Sequence, residues 1–202
     1  QGVVQLSKKR VFHYTDYKSP YAYLAVQLAY DLEKDFDLEV VWRPYTLDIP
    51  SFLGSVEERS ETQWRKVKYA YMDMRRFANK RNLTIKGPRK VYDSRPANIG
   101  MLYAQNHGPE VFRAYNDAVF YRFWNHILEI DDVDAIEAVL AEVGANSDGY
   151  RPFLQGEGLI IHDDLKAEAD QQGIFGVPSF VHEGEIFWGC DRVDLLREKL
   201  EE

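Results

Sequence analysis

Three observations in the sequence predict an α/β fold in the order βαβ, a long helical block, then ββα. Two apolar, strand-like runs bracket a periodic helix near the start of the chain. Helical periodicity then dominates from residue 55 to about residue 169. A hairpin signature and one more periodic helix close the sequence.

Residues 9–14, with Val11-Phe12-His13-Tyr14 at their centre, read as the first strand. Ser19 stands where an N-cap belongs, and Pro20 fits the first helical position, where its missing N–H costs nothing. Tyr21, Leu24, Ala25, Leu28, Ala29 and Leu32 then fall on one helical face. Residues 38–42 read as a second strand, closed by Pro44, and the helix between suits a right-handed crossover between parallel strands. In the middle block Trp64, Val67, Tyr71, Met74 and Ala78 recur at three- and four-residue spacing. Asp93 or Ser94 is placed to cap a helix through Ala104, and residues 111–124 continue the pattern. Asp131-Asp132 opens a helix through Ile136, Val139 and Leu140, and residues 147–154 and 162–172 complete the helices. Ser179-Phe180-Val181 and Glu185-Ile186-Phe187-Trp188 flank His182-Glu183-Gly184, a hairpin signature. Asp191 is placed to cap a last helix through Leu195, Leu196 and Leu200.

This is the order of a thioredoxin-like fold with a large all-helical insertion. It divides the chain into residues 9–54 and 170–202, the two parts of the thioredoxin-like domain, and residues 55–169, the helical insertion. Composition bounds the function. With 45 % hydrophobic residues the chain can build a core, and a net charge of −8 argues against a nucleic-acid partner. Lys66, Lys68, Arg75, Arg76, Lys80 and Arg81 lie on a helical pattern and read as a solvated face. No run of about 18 apolar residues is present, so no membrane span is expected. Residues 1–10 lack the apolar core of a signal peptide, and Gln1-Gly2 reads as a cloning remnant. A single cysteine, Cys190, excludes an internal disulfide, and a cytoplasmic location is expected. The five histidines show no metal-ligand spacing, so no metal site is expected. There is no phosphate-binding glycine loop and no Gly-x-Ser-x-Gly elbow.

The chemistry points to one turn. Ser19-Pro20-Tyr21-Ala22 stands between strand and helix, where thioredoxin-type redox proteins carry Cys-Pro-x-Cys. Dithiol chemistry is impossible here, yet a helix N-terminus can hold an anion or a thiolate. An active Ser19 would therefore act on sulfur supplied from elsewhere; otherwise it is an ordinary N-cap. Lowering a thiol pKa from about 8.5 by two units takes roughly 2.7 kcal/mol. A helix N-terminus contributes up to about 2 kcal/mol and a hydrogen bond to the anion roughly 1.5–3 kcal/mol, so together they suffice. Gly176-Val177-Pro178-Ser179 enters the third strand. In thioredoxin-type folds a proline here is cis, and the residue before it offers its backbone N–H and C=O to an extended peptide.

Five segments, taken in order, resemble the 2-hydroxychromene-2-carboxylate isomerases, bacterial relatives of kappa-class glutathione transferases on the DsbA-type thioredoxin fold. They are Ser19-Pro20-Tyr21; the run from Lys66 through Tyr69, Asp73 and Arg76 to Ala78; Tyr92-Asp93-Ser94-Arg95; Phe175-Gly176-Val177-Pro178; and Phe187-Trp188-Gly189-Cys190-Asp191-Arg192. The resemblance implies glutathione as cofactor and Ser19 as the catalytic residue at its sulfur. It implies that Val177, beside Pro178, pairs with the glutathione backbone, and that Trp188, Gly189, Cys190 and Asp191 hold the γ-glutamyl end, with Asp191 suited to the ammonium group. Tyr92 would contact substrate, an unsaturated keto acid or another small electrophile, and a homodimer is implied. Plainer roles stand beside these: Asp191 as a helix cap, Trp188 as core, Tyr92 as packing beside its helix, Cys190 as an inert thiol. The activity implied is isomerisation by reversible thiolate addition; the alternatives are a kappa-like transferase and a redox-inactive DsbA-like peptide-binding protein. One stretch departs from the pattern. The isomerases draw a lysine and an Asn-Arg pair from the segment matching residues 48–64, which here holds neither, and Ser60-Glu61 stands about where Asn-Arg would be. Arg59 or Arg65 is then the candidate for binding a carboxylate.

Overall fold

The computed structural model describes residues 8–50 and 55–202. The remnant and signal-peptide readings of residues 1–7, and the end of the first domain part at residues 51–54, fall outside the described residues. The chain forms a four-stranded mixed sheet in the order β2-β1-β3-β4. Strand β1 (Lys9–Thr15) and helix α1 (Pro20–Asp35) lead into β2 (Leu38–Pro44), which pairs with β1 in parallel from Lys9↔Leu38 to Thr15↔Pro44. Strand β3 (Ser179–His182) pairs antiparallel with β1, and β4 (Glu185–Trp188) antiparallel with β3. The hairpin closes on Glu183 and Gly184 with φ of 50° and 80°, the two positive values of a type I′ turn.

Between β2 and β3 lie α2 (Glu61–Lys80), α3 (Arg95–Gln105), α4 (Pro109–Trp124), α5 (Val133–Glu142), α6 (Tyr150–Gln155) and α7 (Glu157–Gln171), and α8 (Val193–Glu201) ends the chain. This is a DsbA-like thioredoxin fold carrying a helical insertion. Among the described residues no helix is long and apolar enough to cross a membrane.

One helix start and two helix caps differ from the expectation. α7 begins at Glu157 rather than near residue 162, because Gly158 belongs to the helix: a Cβ there would meet the Phe153 ring at 2.5 Å. The last helix begins at Val193, and Asp191 does not cap it. Residues Cys190–Arg192 form a 3-10 turn instead, and the Asp191 carboxylate pairs with Arg192 at 2.8 Å. At α3, Ser94 occupies the cap position without a capping hydrogen bond, and Asp93 accepts from the Arg95 amide at 3.1 Å.

The buried side chains form one continuous core that runs from the sheet into the inserted helices. Polar side chains stitch the same boundary. The Tyr17 hydroxyl donates to Asn116 at 3.0 Å, the Trp124 indole donates to the Tyr17 carbonyl at 3.1 Å, and Tyr45 donates to Asp170 at 2.6 Å. On the outer edge of β2, Val40 donates its amide to Glu33 at 2.7 Å, and Gln105 donates to the Trp42 carbonyl at 3.0 Å.

Candidate functional site

Ser19 caps α1 from an extended backbone (φ −92°, ψ 116°), its Oγ accepting the Ala22 amide at 3.2 Å. It is 4 % exposed. With Oγ used as an acceptor, its proton has no acceptor among the described residues and remains available for donation. The turn that aims Ser19 is held from below by Asp16, which is fully buried. Its carboxylate accepts from the Lys18 amide at 3.3 Å, the Leu47 amide at 2.8 Å and Asn98 Nδ2 at 3.1 Å. The Ser19 amide in turn donates to the Asp16 carbonyl at 3.0 Å.

The residues on either side of Ser19-Pro20 open onto two different cavities. Tyr21 lines one of about 340 Å³, together with Val177, Pro178, Trp188, Gly189, Cys190 and Asp191. The cofactor-binding residues expected from the sequence other than Ser19 therefore converge on a single cavity, at the N-terminal end of α1. The Val177–Pro178 peptide is cis. The Val177 amide and carbonyl make no hydrogen bond among the described residues, so both are open to a ligand. Ser179 turns its hydroxyl back onto the Gly176 carbonyl at 2.7 Å, which secures the loop before β3. Gly176 must lack a side chain, since a Cβ would stand 2.9 Å from the Trp188 indole nitrogen. Trp188 is not core: it is 45 % exposed and packs on exposed Phe175 at 4.8 Å, forming an aromatic rim.

Four residues of this cavity were not foreseen as site residues: Tyr21, Asp73, Phe77 and Arg192. Asp73 and Phe77 stand four apart on α2, a spacing that puts both on one face, but the sequence does not say which element that face meets. Asp73 accepts from the Tyr21 hydroxyl at 3.3 Å and from Arg76 at 3.4 Å. Burial, then the Asp73 charge and hydrogen bond, push the Tyr21 hydroxyl up to about 12, so it remains a donor at neutral pH. Burial also raises the Cys190 thiol.

Lys18 lines the second cavity, of about 410 Å³, along with Trp64, Tyr71, Tyr92 and Phe123. Its charged lining is wholly basic: Lys18, Arg59, Arg89 and Lys90. Tyr92, the expected substrate contact, is buried edge-on against Phe123 at 5.0 Å while still facing this cavity. Burial, reinforced by the Glu129 carboxylate, holds its hydroxyl up to about 12. Arg59 reaches the cavity and lies over the Trp64 ring at 5.0 Å; Arg65 does not line it. Ser60, in the segment that departs from the isomerase pattern, caps α2 through a capping box with Gln63.

The fold and this helix terminus define a class of protein: a thioredoxin-fold chain whose turn before α1 carries Ser-Pro where thioredoxin-type redox proteins carry a dithiol, with a cavity on each side. The chain matches the DSBA-like thioredoxin domain over residues 10–201 and belongs to that family. A 2-hydroxychromene-2-carboxylate isomerase from Sphingobium xenophagum is 28 % identical over 198 residues, covering 95 % of this chain and 98 % of its own. A solved 2-hydroxychromene-2-carboxylate isomerase superimposes with a TM-score of 0.78 at 27 % identity, covering 95 % of this chain and 94 % of that one. The cytosolic disulfide reductase DsbM from Pseudomonas aeruginosa, solved with GSH, superimposes with a TM-score of 0.64 at 15 % identity, covering 96 % and 100 %. That last likeness concerns the fold alone.

Proposed function

We propose that the protein is a glutathione-dependent isomerase of the 2-hydroxychromene-2-carboxylate isomerase type, acting on a conjugated keto acid. The observation that carries this reading is the pair of cavities at the capped N-terminus of α1, one of them formed by the cis Val177–Pro178 loop. The similar isomerases, matched over nearly the whole chain, support it. The residues of the first cavity fit the cofactor. Val177 offers an unused amide and carbonyl for a peptide backbone. Asp73 and Asp191 suit an ammonium group and Arg192 a carboxylate, the two charges of a γ-glutamyl end.

Glutathione, when bound, supplies a thiolate whose reversible addition to a conjugated double bond makes that bond single long enough to rotate. The protein's part is to hold that sulfur as an anion and to orient the acceptor. Ser19 donates its free proton toward the sulfur while Oγ stays fixed by the Ala22 amide, and the N-terminus of α1 adds its positive end. Tyr92, its hydroxyl protonated at neutral pH and turned to Glu129, presents its ring to the acceptor as part of the cavity wall. The aromatic walls flank a flat conjugated system and exclude water. A homodimer and a cytoplasmic location belong to the same proposal and rest on the resemblance; light scattering on the purified protein tests the first.

The deciding experiment is a glutathione titration by calorimetry at pH 7.5 on wild type and Ser19→Ala, with the ultraviolet thiolate band recorded alongside. Binding with a thiolate signal that Ser19→Ala weakens supports the reading, and a screen of conjugated keto acids follows. Absence of binding at millimolar glutathione overturns it. A peptide-binding role at the Val177 amide and the Phe175–Trp188 rim then leads.

A further inference from the structure

We propose that Lys18 recognises the acid group of the electrophile, so that the cavity beside Ser19 selects a conjugated carboxylate over its uncharged amide or ester. The assignment of this cavity to the electrophile rests on the function proposed above; the geometry of Lys18 does not. The Lys18 side chain is only 8 % exposed, and its ion pair with Asp16 spans 3.7 Å. That separation lies beyond the hydrogen-bond reach of about 3.2 Å. No hydrogen bond to its ammonium group is found among the described residues. Asp16 does not depend on it, because its carboxylate already accepts three N–H bonds, from Lys18, Leu47 and Asn98.

The Asp16 carboxylate at 3.7 Å partly offsets the charge of this nearly buried ammonium group, but its N–H donors stay unused, and an anion that accepts from them adds a charge-assisted hydrogen bond. Lys18 stands at the wall of the basic cavity, one residue from Ser19. The other cations there are engaged: Arg89 with Glu129 at 3.7 Å, Lys90 with Asp131 at 2.7 Å, and Arg59 over the Trp64 ring. Among the described residues no carboxylate lines the cavity; Asp16, Glu129 and Asp131 pair with three of its cations without facing it. Lys18 thus holds a fixed positive charge, carried by the buried loop after β1, while the ring walls take the uncharged part of the ligand.

The test uses trans-cinnamate and cinnamamide, a flat conjugated acid and its neutral counterpart, titrated by calorimetry into glutathione-free protein. Wild type is expected to bind the acid about tenfold or more tightly than the amide. Lys18→Met is expected to bind both alike, at the affinity wild type has for the amide, and Lys18→Arg to keep the preference. In turnover with a conjugated keto acid and glutathione, Lys18→Met should raise KM about tenfold while leaving kcat and the thiolate titration unmoved. A wild-type protein without the acid preference, or a Lys18→Met protein that retains it, overturns the proposal. So does a thiolate titration that shifts in Lys18→Met, which would assign the charge to the cofactor. Should the glutathione reading alone fail, the acid preference persists while glutathione binding is absent, so the two failures are distinct.

Discussion

Ser19 and His13 stand six residues apart, one with a proton to give and the other kept from gaining one. Replacing Ser19 with alanine removes the Ala22 cap and the donor to sulfur together. The thiol of bound glutathione is expected to titrate about one to two units higher, read from the ultraviolet band against pH. His13 is fully buried, stacked on Phe180 at 4.1 Å, and donates Nδ1–H to the Ser179 carbonyl at 3.3 Å, leaving Nε2 without a partner. Burial lowers its pKa from 6.5 to about 3. The unfolded chain therefore takes up a proton below pH 6.5 that the folded chain refuses until about pH 3, and stability falls throughout that window. At pH 5 the loss from this one residue is about 2 kcal/mol. Urea denaturation at pH 7 and pH 5 should show that difference in wild type and a smaller one in His13→Phe. The cap at Ser19 and the proline turn at Val177–Pro178 were legible in the sequence because each is a local motif. The cavity positions of Lys18 and Phe77 were not, since they depend on walls assembled by distant segments, and Asp73 and Arg192, though they stand in the five segments of the resemblance, carried no role there.

Elements were legible to the extent that their signals are local. α2 shows the rule: Trp64, Met74 and Ala78 announce its period, while the capping box of Ser60 with Gln63 that closes its N-terminus was not read from the sequence. Ser60→Ala should cost about 1 kcal/mol by urea denaturation and leave the basic cavity's ligand preference unchanged. The hairpin was equally legible, because Glu183-Gly184 needs two positive φ values. The signal failed at Gly158, a packing glycine that hid the first turn of α7. Gly100 also serves packing, but within the helix expected through Ala104: a Cβ there would stand 3.0 Å from the ring carbon Cζ of Tyr115 and 3.1 Å from Ile136. Both neighbours are fully buried, so Gly100→Ala is expected to destabilise by about 1–3 kcal/mol, measured by thermal or urea unfolding. Asp191 misled for the opposite reason: it has the composition of a cap, but a 3-10 turn turns its carboxylate toward Arg192 instead.

At the scale of the whole molecule, the insertion and the sheet share one core and are joined by the Tyr17, Trp124 and Tyr45 hydrogen bonds. They are expected to melt together. Tryptophan fluorescence and far-ultraviolet circular dichroism should give coincident urea transitions; two separated midpoints would mean that the inserted helices fold on their own. The element order, and hence the fold class, could be read from periodicity along the chain. The packing of the insertion over the turn at Ser19 could not, because it depends on single polar pairs such as Asp16 with Asn98, 82 residues apart. The outer edge of β2 has a consequence of its own. Leu38 donates its amide to Phe36 and Val40 to Glu33, the Trp42 carbonyl is taken by Gln105, and Pro44 has no amide to give. An exposed strand is where one protein copies itself onto the next, and here that template is partly written over. Fibril growth, when concentrated protein is held for days, should be slow to start from this margin.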